Sequence, residues 1–406
     1  MIRLAHLTTH PIQYHAPLFR RLAADTDFEF TALFQSDVST RAHFDPGFGS
    51  EFQWDVPLLD GYKHRFLPSS GDGNISFWKP WTRGFGRALT GGKFDALWIT
   101  AFMRPPFWAA IAAAKRRGIK VLVRDDVHDR TKHRGATKRA FKQVLFAAFR
   151  RVIDRFLAIG TLNRDYYLKL GVKPESIYMV PLAVDNKFFQ MRAREASLRR
   201  EQFRCELGLE KGRPVILYVG KIYDTKRPGD LLESYLRLRA AKEINPRPHL
   251  LFVGDGEQRA ELESKANAVD HNSIRFVGFK NQTELPAYYD LSDVFVIPSQ
   301  VESFGLVVNE AMNAGRPIIS SDLVGCTPDL VLEGINGYVY RCGDVAALAG
   351  ALHRVLADPA RRRTMGEQSL RIINRWSFEE DVSGLRAALR MGESKSGSLV
   401  ASRSSF

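Results

Sequence analysis

The stretch "VFVIPSQVESFGLVVNEAMNAGRPIISS", residues 294–321, has the pattern of a strand, a helix and a second strand. Ser303 is a good residue for a helix N-cap, and Gly315 followed by Pro317 predicts where that helix ends. The flanking runs are apolar almost throughout, which is typical of strands buried on both faces of a parallel sheet. The segment therefore predicts one unit of a parallel α/β fold.

The same alternation extends along the whole chain, with helical patterns between short apolar runs. The strand-like runs lie at 2–9, 28–34, 95–100, 120–125, 155–160 and 178–184, and then at 214–220, 249–256, 274–279, 294–299 and 317–321. Two such series predict an α/β protein with two doubly wound, Rossmann-like domains.

The domain boundaries follow from where the pattern breaks. We expect an N-terminal domain at 1–190 and a C-terminal domain at 191–375, because the charged stretch near 190–212 interrupts the alternation. We expect a helix at 376–391 that returns toward the N-terminal domain. Residues 392–406 are rich in serine and poor in large apolar groups, which predicts a disordered tail.

Charge divides the 406-residue chain unevenly, although its formal net charge is +14. Residues 1–195 hold 31 Lys and Arg against 18 Asp and Glu, whereas residues 196–406 hold 28 against 27. The basic first half favours an acidic partner, for which a membrane surface, a polyanionic substrate and a nucleic acid are the alternatives.

The three cysteines form no CxxC pair, which indicates a reducing compartment. No signal-peptide pattern opens the sequence, and no apolar run reaches the length of a membrane span. We therefore expect a cytoplasmic protein, with contact at the inner face of the membrane as a further possibility for its basic half.

Glycines and lysines cluster where the strands of the second half end, which is where open parallel sheets bind ligands. Gly220, Gly254 and Gly278 follow three of the strands, and glycine lets a ligand approach the backbone. Lys221 and Lys226 lie in the first of these loops and suit the oxygens of a diphosphate. The structural alternative is an ordinary solvated basic loop.

Two acids, Glu302 and Glu310, flank the predicted start of the helix in the opening stretch. The backbone N–H groups of Phe304, Gly305 and Leu306 would be first-turn donors, and such helix starts bind phosphate or sugar oxygens. The two carboxylates would then contact different hydroxyl groups of one extended ligand. The alternative is a pair of surface acids that the helix dipole favours.

Together these motifs resemble the retaining glycosyltransferases of family 4. "ESFGLVVNE" at 302–310 resembles that family's Glu, seven residues, Glu motif. "VGKIYDTKRP" at 219–228 matches its Gly-Arg, four residues, Lys-Gly loop, with Lys221 in the Arg position and Lys226 in the Lys position. "VPLAVDNKFF" at 180–189 and "DLVLEGINGYVY" at 329–340 resemble two further segments. The resemblance extends over residues 175–390 and covers the first domain in outline only.

The resemblance implies a GT-B fold, in which two Rossmann-like domains face each other across a cleft. It also implies sugar transfer from a nucleotide-sugar donor, UDP- or GDP-linked, with retention at the anomeric carbon and without a cofactor or metal. The resemblance implies that the donor ribose binds Glu310 and that the diphosphate binds Lys226 and Lys221. The donor sugar would bind Glu302 and the stretch Ser303, Phe304, Gly305 and Leu306. The donor base would lie against Gly278 and Phe279, with Gly220 and Gly254 beside the donor.

The first half departs from the family where a Gly-Gly loop is usual. This chain has Pro11, Ile12, Gln13 and Tyr14 there, so a backbone contact with the diphosphate is not expected on this side. We interpret His10, Gln13 and Tyr14 as an acceptor-binding loop, with a capped structural loop as the alternative. Asp126 and His128 follow a later strand and are expected to line the cleft.

A basic helical pattern at 130–155 carries nine Lys and Arg against one acid. Phe141, Val144, Leu145, Ala148 and Val152 recur at helical spacing and predict its core-facing side, while the basic side suits anionic lipid. The aromatic stretch at 75–86 either joins that surface or packs on its own domain.

Three functions remain open from the sequence. The favoured one is a retaining glycosyltransferase that acts on a glycan or lipid-linked acceptor in surface polysaccharide or glycolipid synthesis. The second is another sugar-nucleotide enzyme of this architecture, such as an epimerase or an inverting transferase. The third is a basic membrane-binding or nucleic-acid-binding module without catalysis, although the ligand-type loops of the second half disfavour it and no nucleic acid is expected.

Overall fold

The computed structural model describes residues 1–45, 47, 49–70, 75–131, 136–241, 244–270 and 272–390. Side chains at 50, 131 and 136–142 are not described. The predicted tail at 392–406 lies outside the described residues.

The first sheet has seven parallel strands in the order β11-β10-β9-β8-β1-β2-β5. Its strands, together with two short antiparallel pairs, are β1 (Ile2–Thr8), β2 (Phe28–Phe34), β3 (His43–Asp45), β4 (Ser50–Phe52), β5 (Lys63–Phe66), β6 (Ser69–Ser70), β7 (Trp81–Thr82), β8 (Ala96–Thr100), β9 (Lys120–Arg124), β10 (Arg155–Ala158) and β11 (Ile177–Met179). The helices around it are α1 (His15–Ala23), α2 (Phe85–Gly92), α3 (Pro105–Lys115), α4 (Ala136–Val152) and α5 (Thr161–Lys169).

Two helices, α6 (Asn186–Ser197) and α7 (Arg200–Glu206), lead into a second parallel sheet of six strands in the order β14-β13-β12-β15-β16-β17. Its strands are β12 (Val215–Val219), β13 (His249–Val253), β14 (Ile274–Phe276), β15 (Val294–Ile297), β16 (Ile318–Ser321) and β17 (Gly337–Tyr340). The remaining helices are α8 (Pro228–Ala241), α9 (Arg259–Asp270), α10 (Leu285–Leu291), α11 (Leu306–Asn313), α12 (Thr327–Leu330), α13 (Val345–Leu356), α14 (Pro359–Ile373) and α15 (Phe378–Leu389).

Burial explains why the apolar runs form the sheets. Every residue of β12, β13, β15 and β16 is buried, as expected for strands with helices on both faces. The exposed edge strand β5 and the antiparallel pair β3–β4 were not predicted, because polar and charged residues interrupt their apolar pattern. The charged join at 190–212 likewise contains α7 and part of α6 rather than irregular chain.

Helix α15 packs against the first sheet although it follows the second domain in the sequence. Its Asp381 pairs with Arg124 at 3.1 Å, and both side chains are almost fully buried. On the surface, Arg386 contacts Asp25 at 2.6 Å and Asp27 at 2.7 Å. These contacts fasten the end of the described chain to the first domain.

Two local predictions are wrong. Helix α11 begins at Leu306, and no side chain caps it at Ser303, because the carbonyl groups of Glu302 and Phe304 accept from the backbone N–H groups of Gly325 and Cys326 and hold this segment outside the helix. Gly305, in a left-handed conformation at φ 100°, makes the turn into the helix.

The predicted core side of α4 is correct at Leu145, which packs on the core of the first domain, but wrong at three other positions. Val144, Ala148 and Val152 face solvent, and Val144 is 72% exposed. Phe146 and Phe149 enter the core of the first domain instead. Because phenylalanine buries more apolar area than valine or alanine, it decides which side of the helix packs inward. In the aromatic stretch, Trp78 is 60% exposed but Phe85 is buried.

Candidate functional site

A groove of two adjoining cavities lies at the carboxyl ends of β12 and β15, between the two domains. The first, called here the aromatic cavity, has a volume of about 260 Å³ and is lined among others by Trp54, Phe279 and Gln282. The second, called the helix cavity, has a volume of about 360 Å³ and contains the start of α11. The residues that line both are Tyr14, Val219, Gly220, Lys221 and Val307.

Lys226 and Glu302 form an ion pair in the helix cavity, with 2.5 Å between Nζ and Oε2. The lysine also donates to the backbone carbonyl of Val301 at 3.3 Å. Lys226 comes from the loop after β12, while Glu302 comes from the loop after β15. The adjacent parallel strands β12 and β15 therefore bring together two residues that are 76 positions apart.

Lys221 pairs instead with a residue of the other domain. Its Nζ lies 2.8 Å from Oδ1 of Asp45, at the end of β3. Both side chains are about one quarter to one third exposed, at 31% and 26%. No sequence pattern indicates this contact, since the short strand β3 lies between two strands of the main sheet and lacks their apolar pattern.

One wall of the helix cavity is formed by Ser303, Phe304 and Gly305, which lead into α11, and by Leu306 at its start. The helix therefore begins two residues later than the predicted first-turn donors at Phe304 and Gly305 imply. The first N–H groups of a helix have no partner inside the helix, and the helix dipole makes this end attractive to anions. A Cβ atom on Gly305 would lie 3.0 Å from Val324 and 3.4 Å from Glu302, and its φ disfavours other residues. Glycine therefore keeps the approach to the helix start narrow but open.

Glu310 is fully buried and accepts hydrogen bonds on both carboxylate oxygens. Tyr14 of the first domain donates to Oε1 at 2.7 Å, and Tyr289 on α10 donates to Oε2 at 2.6 Å. Burial raises the pKa of Glu310 to about 7, against the lowering effect of the two hydroxyl groups. Among the described linings, Glu310 borders neither cavity directly, whereas Tyr14 borders both.

Residues 52–55 of the first domain contact the second domain beside the aromatic cavity, which Trp54 lines. The ring of Phe52 lies 4.4 Å from that of Phe279, centroid to centroid. Asn281 donates to the carbonyl of Gln53 at 2.6 Å, and the backbone N–H of Thr283 donates to the carboxylate of Asp55. The rings of Trp54 and Phe279, one from each domain, line this cavity and offer aromatic surfaces to a flat ligand.

The three predicted glycines at the strand ends differ in what their surroundings require. Gly254 adopts φ 135°, and a Cβ there would lie 1.9 Å from the carbonyl oxygen of Gly220. Backbone packing between two strands thus requires Gly254, even though it also lines the aromatic cavity. Gly278 accepts from the N–H of Gly254 at 2.8 Å. Gly220 borders both cavities, and a Cβ there would touch only Tyr218.

The candidate residues of the first domain separate into two groups. Gln13, Tyr14 and Asp126 line the groove. His10 and His128 lie outside the described linings of both cavities. His128 is buried against the carbonyl oxygen of Glu302, with 3.0 Å to its Nε2, and burial lowers its pKa.

His10 is held by the Thr9 hydroxyl at 2.8 Å from its Nδ1. Burial, aided by the nearby charges of His43 and Arg104, lowers the pKa of His10 to about 4. This imidazole is therefore neutral near pH 7 and contributes no positive charge beside the groove.

Sequence reasoning missed Asp45, Trp54, Gln282 and Tyr289. Tyr289 lies on α10, and an aromatic residue in a helix normally indicates core packing. Asp45 and Trp54 reach the second domain only because the two sheets face each other, which local patterns do not encode.

The groove combines features of a site for a phosphorylated sugar compound. Lys221, Lys226 and the start of α11 favour anionic oxygens, and a carboxylate such as that of Glu302 can accept hydrogen bonds from hydroxyl groups. The aromatic cavity suits a planar ring. Among the described residues, no three His, Cys, Asp or Glu side chains group as metal ligands would.

Known structures share this architecture. The fold matches sucrose-phosphate synthase from Thermosynechococcus elongatus with a TM-score of 0.69, at 21% identity, covering 95% of this chain and 98% of that one. It matches Anabaena Alr3699/HepE in complex with UDP with a TM-score of 0.68, at 14% identity, covering 95% and 99%. The predicted GT-B fold, with two Rossmann-like domains across a cleft, is confirmed.

Sequence comparison relates the second domain to a known family. Residues 199–371 match the family described as Glycosyl transferases group 1. The D-inositol 3-phosphate glycosyltransferase of Thermobifida fusca (strain YX) is 32% identical over 238 residues, which are 56% of this chain and 51% of that protein. The resemblance to family-4 glycosyltransferases drawn from the sequence motifs is confirmed.

The chain spans about half the length of the curated relatives that it matches first. In the described part of the chain, no helix has the length and apolar character needed to cross a membrane.

Proposed function

We propose that the protein transfers a sugar from a nucleotide-sugar donor to a glycan or lipid-linked acceptor, with retention at the anomeric carbon. The observation that carries this proposal is the helix cavity, where Lys226, Glu302 and the start of α11 meet. The family match of the second domain and the shared fold of a protein solved with UDP support it.

The diphosphate of the donor lies beside Lys221 and Lys226 in this proposal. Both ammonium groups reach the helix cavity, and the start of α11 adds N–H donors to the same space. As the bond to the sugar breaks, negative charge develops on the leaving diphosphate, and preorganised cations stabilise it. Basic side chains and backbone donors supply this stabilisation without a cofactor or metal.

The donor sugar lies at the far end of the helix cavity, where Glu302 accepts from its hydroxyl groups. The departing phosphate takes the proton of the acceptor hydroxyl on the same face of the sugar, so no protein nucleophile is required. The enzyme then contributes orientation of the reactants and electrostatic stabilisation. Asp126 and Gln13 border the groove on the acceptor side.

The nucleoside occupies the aromatic cavity, with its base against Phe279 and the backbone near Gly278. The ribose hydroxyls donate to Glu310, which lies within reach once Tyr14 moves aside. A uridine or guanosine nucleotide is the expected donor, and the cavity walls that select between them also select the sugar.

A lipid-linked acceptor is favoured by the surface of the first domain. Val144, Ala148 and Val152 form an exposed apolar strip on the basic helix α4, and exposed Trp108 on α3 packs beside that helix against Phe149. Such a surface binds anionic bilayers through apolar and basic contacts together. Flotation with anionic liposomes tests this: we expect binding at low salt, and its absence would remove the membrane partner and leave a soluble glycan acceptor.

The proposed reaction is tested in two steps. A thermal-shift panel of nucleoside diphosphates and nucleotide sugars identifies the donor, because a ligand of the native state raises the apparent melting temperature. NMR of the anomeric proton then follows sugar release or transfer from that donor. A product with the donor's anomeric configuration supports a retaining transferase. An inverted product, or an epimerised donor, would assign the second class of sugar-nucleotide enzyme.

A further inference from the structure

Two side chains of the first domain contact the same second-domain atoms that the proposed function assigns to the donor. Tyr14 donates its hydroxyl group to Glu310 at 2.7 Å. Asp45 accepts from Lys221 at 2.8 Å. A tyrosine hydroxyl has the hydrogen-bonding character of a ribose hydroxyl, and a carboxylate has that of a phosphate oxygen. The first domain therefore presents an internal substitute for each ligand group.

Tyr14 lies between the groove and the carboxylate of Glu310. It lines both of them, and it contacts Glu310, which borders neither. The other oxygen of Glu310 is held by Tyr289, a residue of the same domain as the carboxylate. A ribose that binds Glu310 must replace the hydroxyl of Tyr14, while Tyr289 can stay.

Charge leads to the same conclusion at the diphosphate end. Lys226 lies against the carboxylate of Glu302, and Lys221 lies against that of Asp45. A diphosphate brings at least two further negative charges, so it gains full stabilisation from both lysines only if a carboxylate withdraws. Asp45 is the one that belongs to the opposite domain, and a small domain movement removes it.

We propose that Tyr14 and Asp45 hold the groove in a self-occupied state, in which they compete with the donor ribose and the donor diphosphate. This inference rests on the proposed function. The donor binds the fraction of molecules in which these contacts are broken, so the apparent affinity is lower than the intrinsic affinity by that fraction. Variants that remove one competitor therefore bind the matching part of the donor more tightly.

Isothermal titration of the full-length protein tests the inference with uridine, guanosine and adenosine diphosphates and with inorganic pyrophosphate. Tyr14→Phe removes the competing hydroxyl and keeps the ring. We expect it to bind the preferred nucleoside diphosphate about fivefold to tenfold more tightly, with the affinity for pyrophosphate unchanged. Asp45→Asn removes the competing charge and should bind both ligands more tightly, by a similar factor.

Two matched controls separate competition from general damage. Tyr289→Phe loses the same kind of bond to Glu310 but from within the second domain, so it should not bind nucleotide more tightly. Asp37→Asn changes the same charge at an exposed first-domain site, where Asp37 pairs with Arg41, and should leave both affinities unchanged. Melting curves establish that each variant is folded.

Three results would overturn the inference or the proposed function beneath it. Equal or weaker nucleotide binding by Tyr14→Phe and Asp45→Asn overturns the inference while the proposed function stands, provided that the unaltered protein binds a nucleotide. A gain of the same size in Tyr289→Phe also overturns it, because the effect would not depend on the domain that supplies the hydroxyl. If no protein in the series binds any nucleotide, the proposed function itself fails.

Discussion

The two lysines of the groove differ in where their partners come from. Lys226 is paired with Glu302 of its own domain, whereas Lys221 is paired with Asp45 of the opposite domain. Glu310 repeats the contrast, because Tyr289 and Tyr14 hold its two oxygens from the same and the opposite domain. One half of each arrangement is thus built into the second domain, and the other half exists only while the domains are close.

The largest expected effect is on stability, at the buried ion pair that joins α15 to the first domain and remains intact when the groove opens. Asp381→Ala leaves the guanidinium of Arg124 buried without its carboxylate, which typically costs about 3 to 5 kcal/mol. We expect that loss in the free energy of unfolding measured with urea. Nucleotide affinity below the melting temperature should remain unchanged. A loss under about 1 kcal/mol would show that α15 is not fastened as the structure indicates.

Lys226→Ala should give the next largest effect, on kcat. It tests the part of the groove that the second domain forms by itself. Removal of one preorganised donor to a developing negative charge typically lowers kcat by about 100-fold to 1000-fold. Steady-state kinetics with the donor identified by thermal shift measures it. Glu302→Gln is the companion variant, since it keeps Lys226 but removes its charge partner. If Lys226→Ala retains full activity, the diphosphate does not lie in the helix cavity.

The pH dependence of stability tests the buried carboxylate. The native pKa of Glu310, about 7, is above its usual value, so its contribution to stability is complete at low pH and is lost as pH rises through 7. Between pH 4.5 and pH 7, wild type should lose up to about 3 kcal/mol relative to Glu310→Gln.

Urea unfolding of both proteins across this range measures that difference. Asp381, whose pKa burial raises to about 6, titrates in both proteins and cancels. A difference that is constant with pH would mean that Glu310 is ionised throughout.

Lys221→Ala should have the smallest effect and sharpens the contrast with Lys226. It removes one diphosphate contact but also releases Asp45, so loss and gain partly offset each other. We expect about a tenfold decrease in kcat/KM, corresponding to about 1.4 kcal/mol, measured in the same assay as Lys226→Ala. An effect as large as that of Lys226→Ala would contradict the view that Asp45 competes at this position.

The second domain could be predicted from its sequence far better than the first. Its strands are continuous apolar runs, and glycines, lysines and acids mark their ends, so both the fold and residues such as Lys226 and Glu302 could be located from the sequence alone. The short pair β3–β4 lacks such a pattern, and a polar, aromatic-rich segment has no single preferred conformation. Its contacts with Lys221 and Phe279 depend on how the domains face each other.

At the start of α11 and on the core side of α4, the local pattern of the sequence predicted the wrong residues. Ser303 has the side chain of a good cap, but backbone contacts of Glu302 and Phe304 with residues 324–326 hold it outside the helix. On α4, Phe146 and Phe149 are buried in the core and the valine and alanine stripe is exposed, because the larger rings bury more apolar area. In both cases, tertiary contacts outweighed a preference that the sequence displays correctly.

The second domain is expected to hold a nucleotide with its ribose on Glu310, and the other assignments in the groove depend on this contact. Calorimetric titration of the preferred nucleoside diphosphate and its 2′,3′-dideoxy analogue, into wild type and into Glu310→Ala, tests it most directly. We predict that loss of the ribose hydroxyls weakens binding to wild type by about tenfold or more and leaves binding to Glu310→Ala unchanged. An equal loss in both proteins would contradict the assignment of the ribose to Glu310.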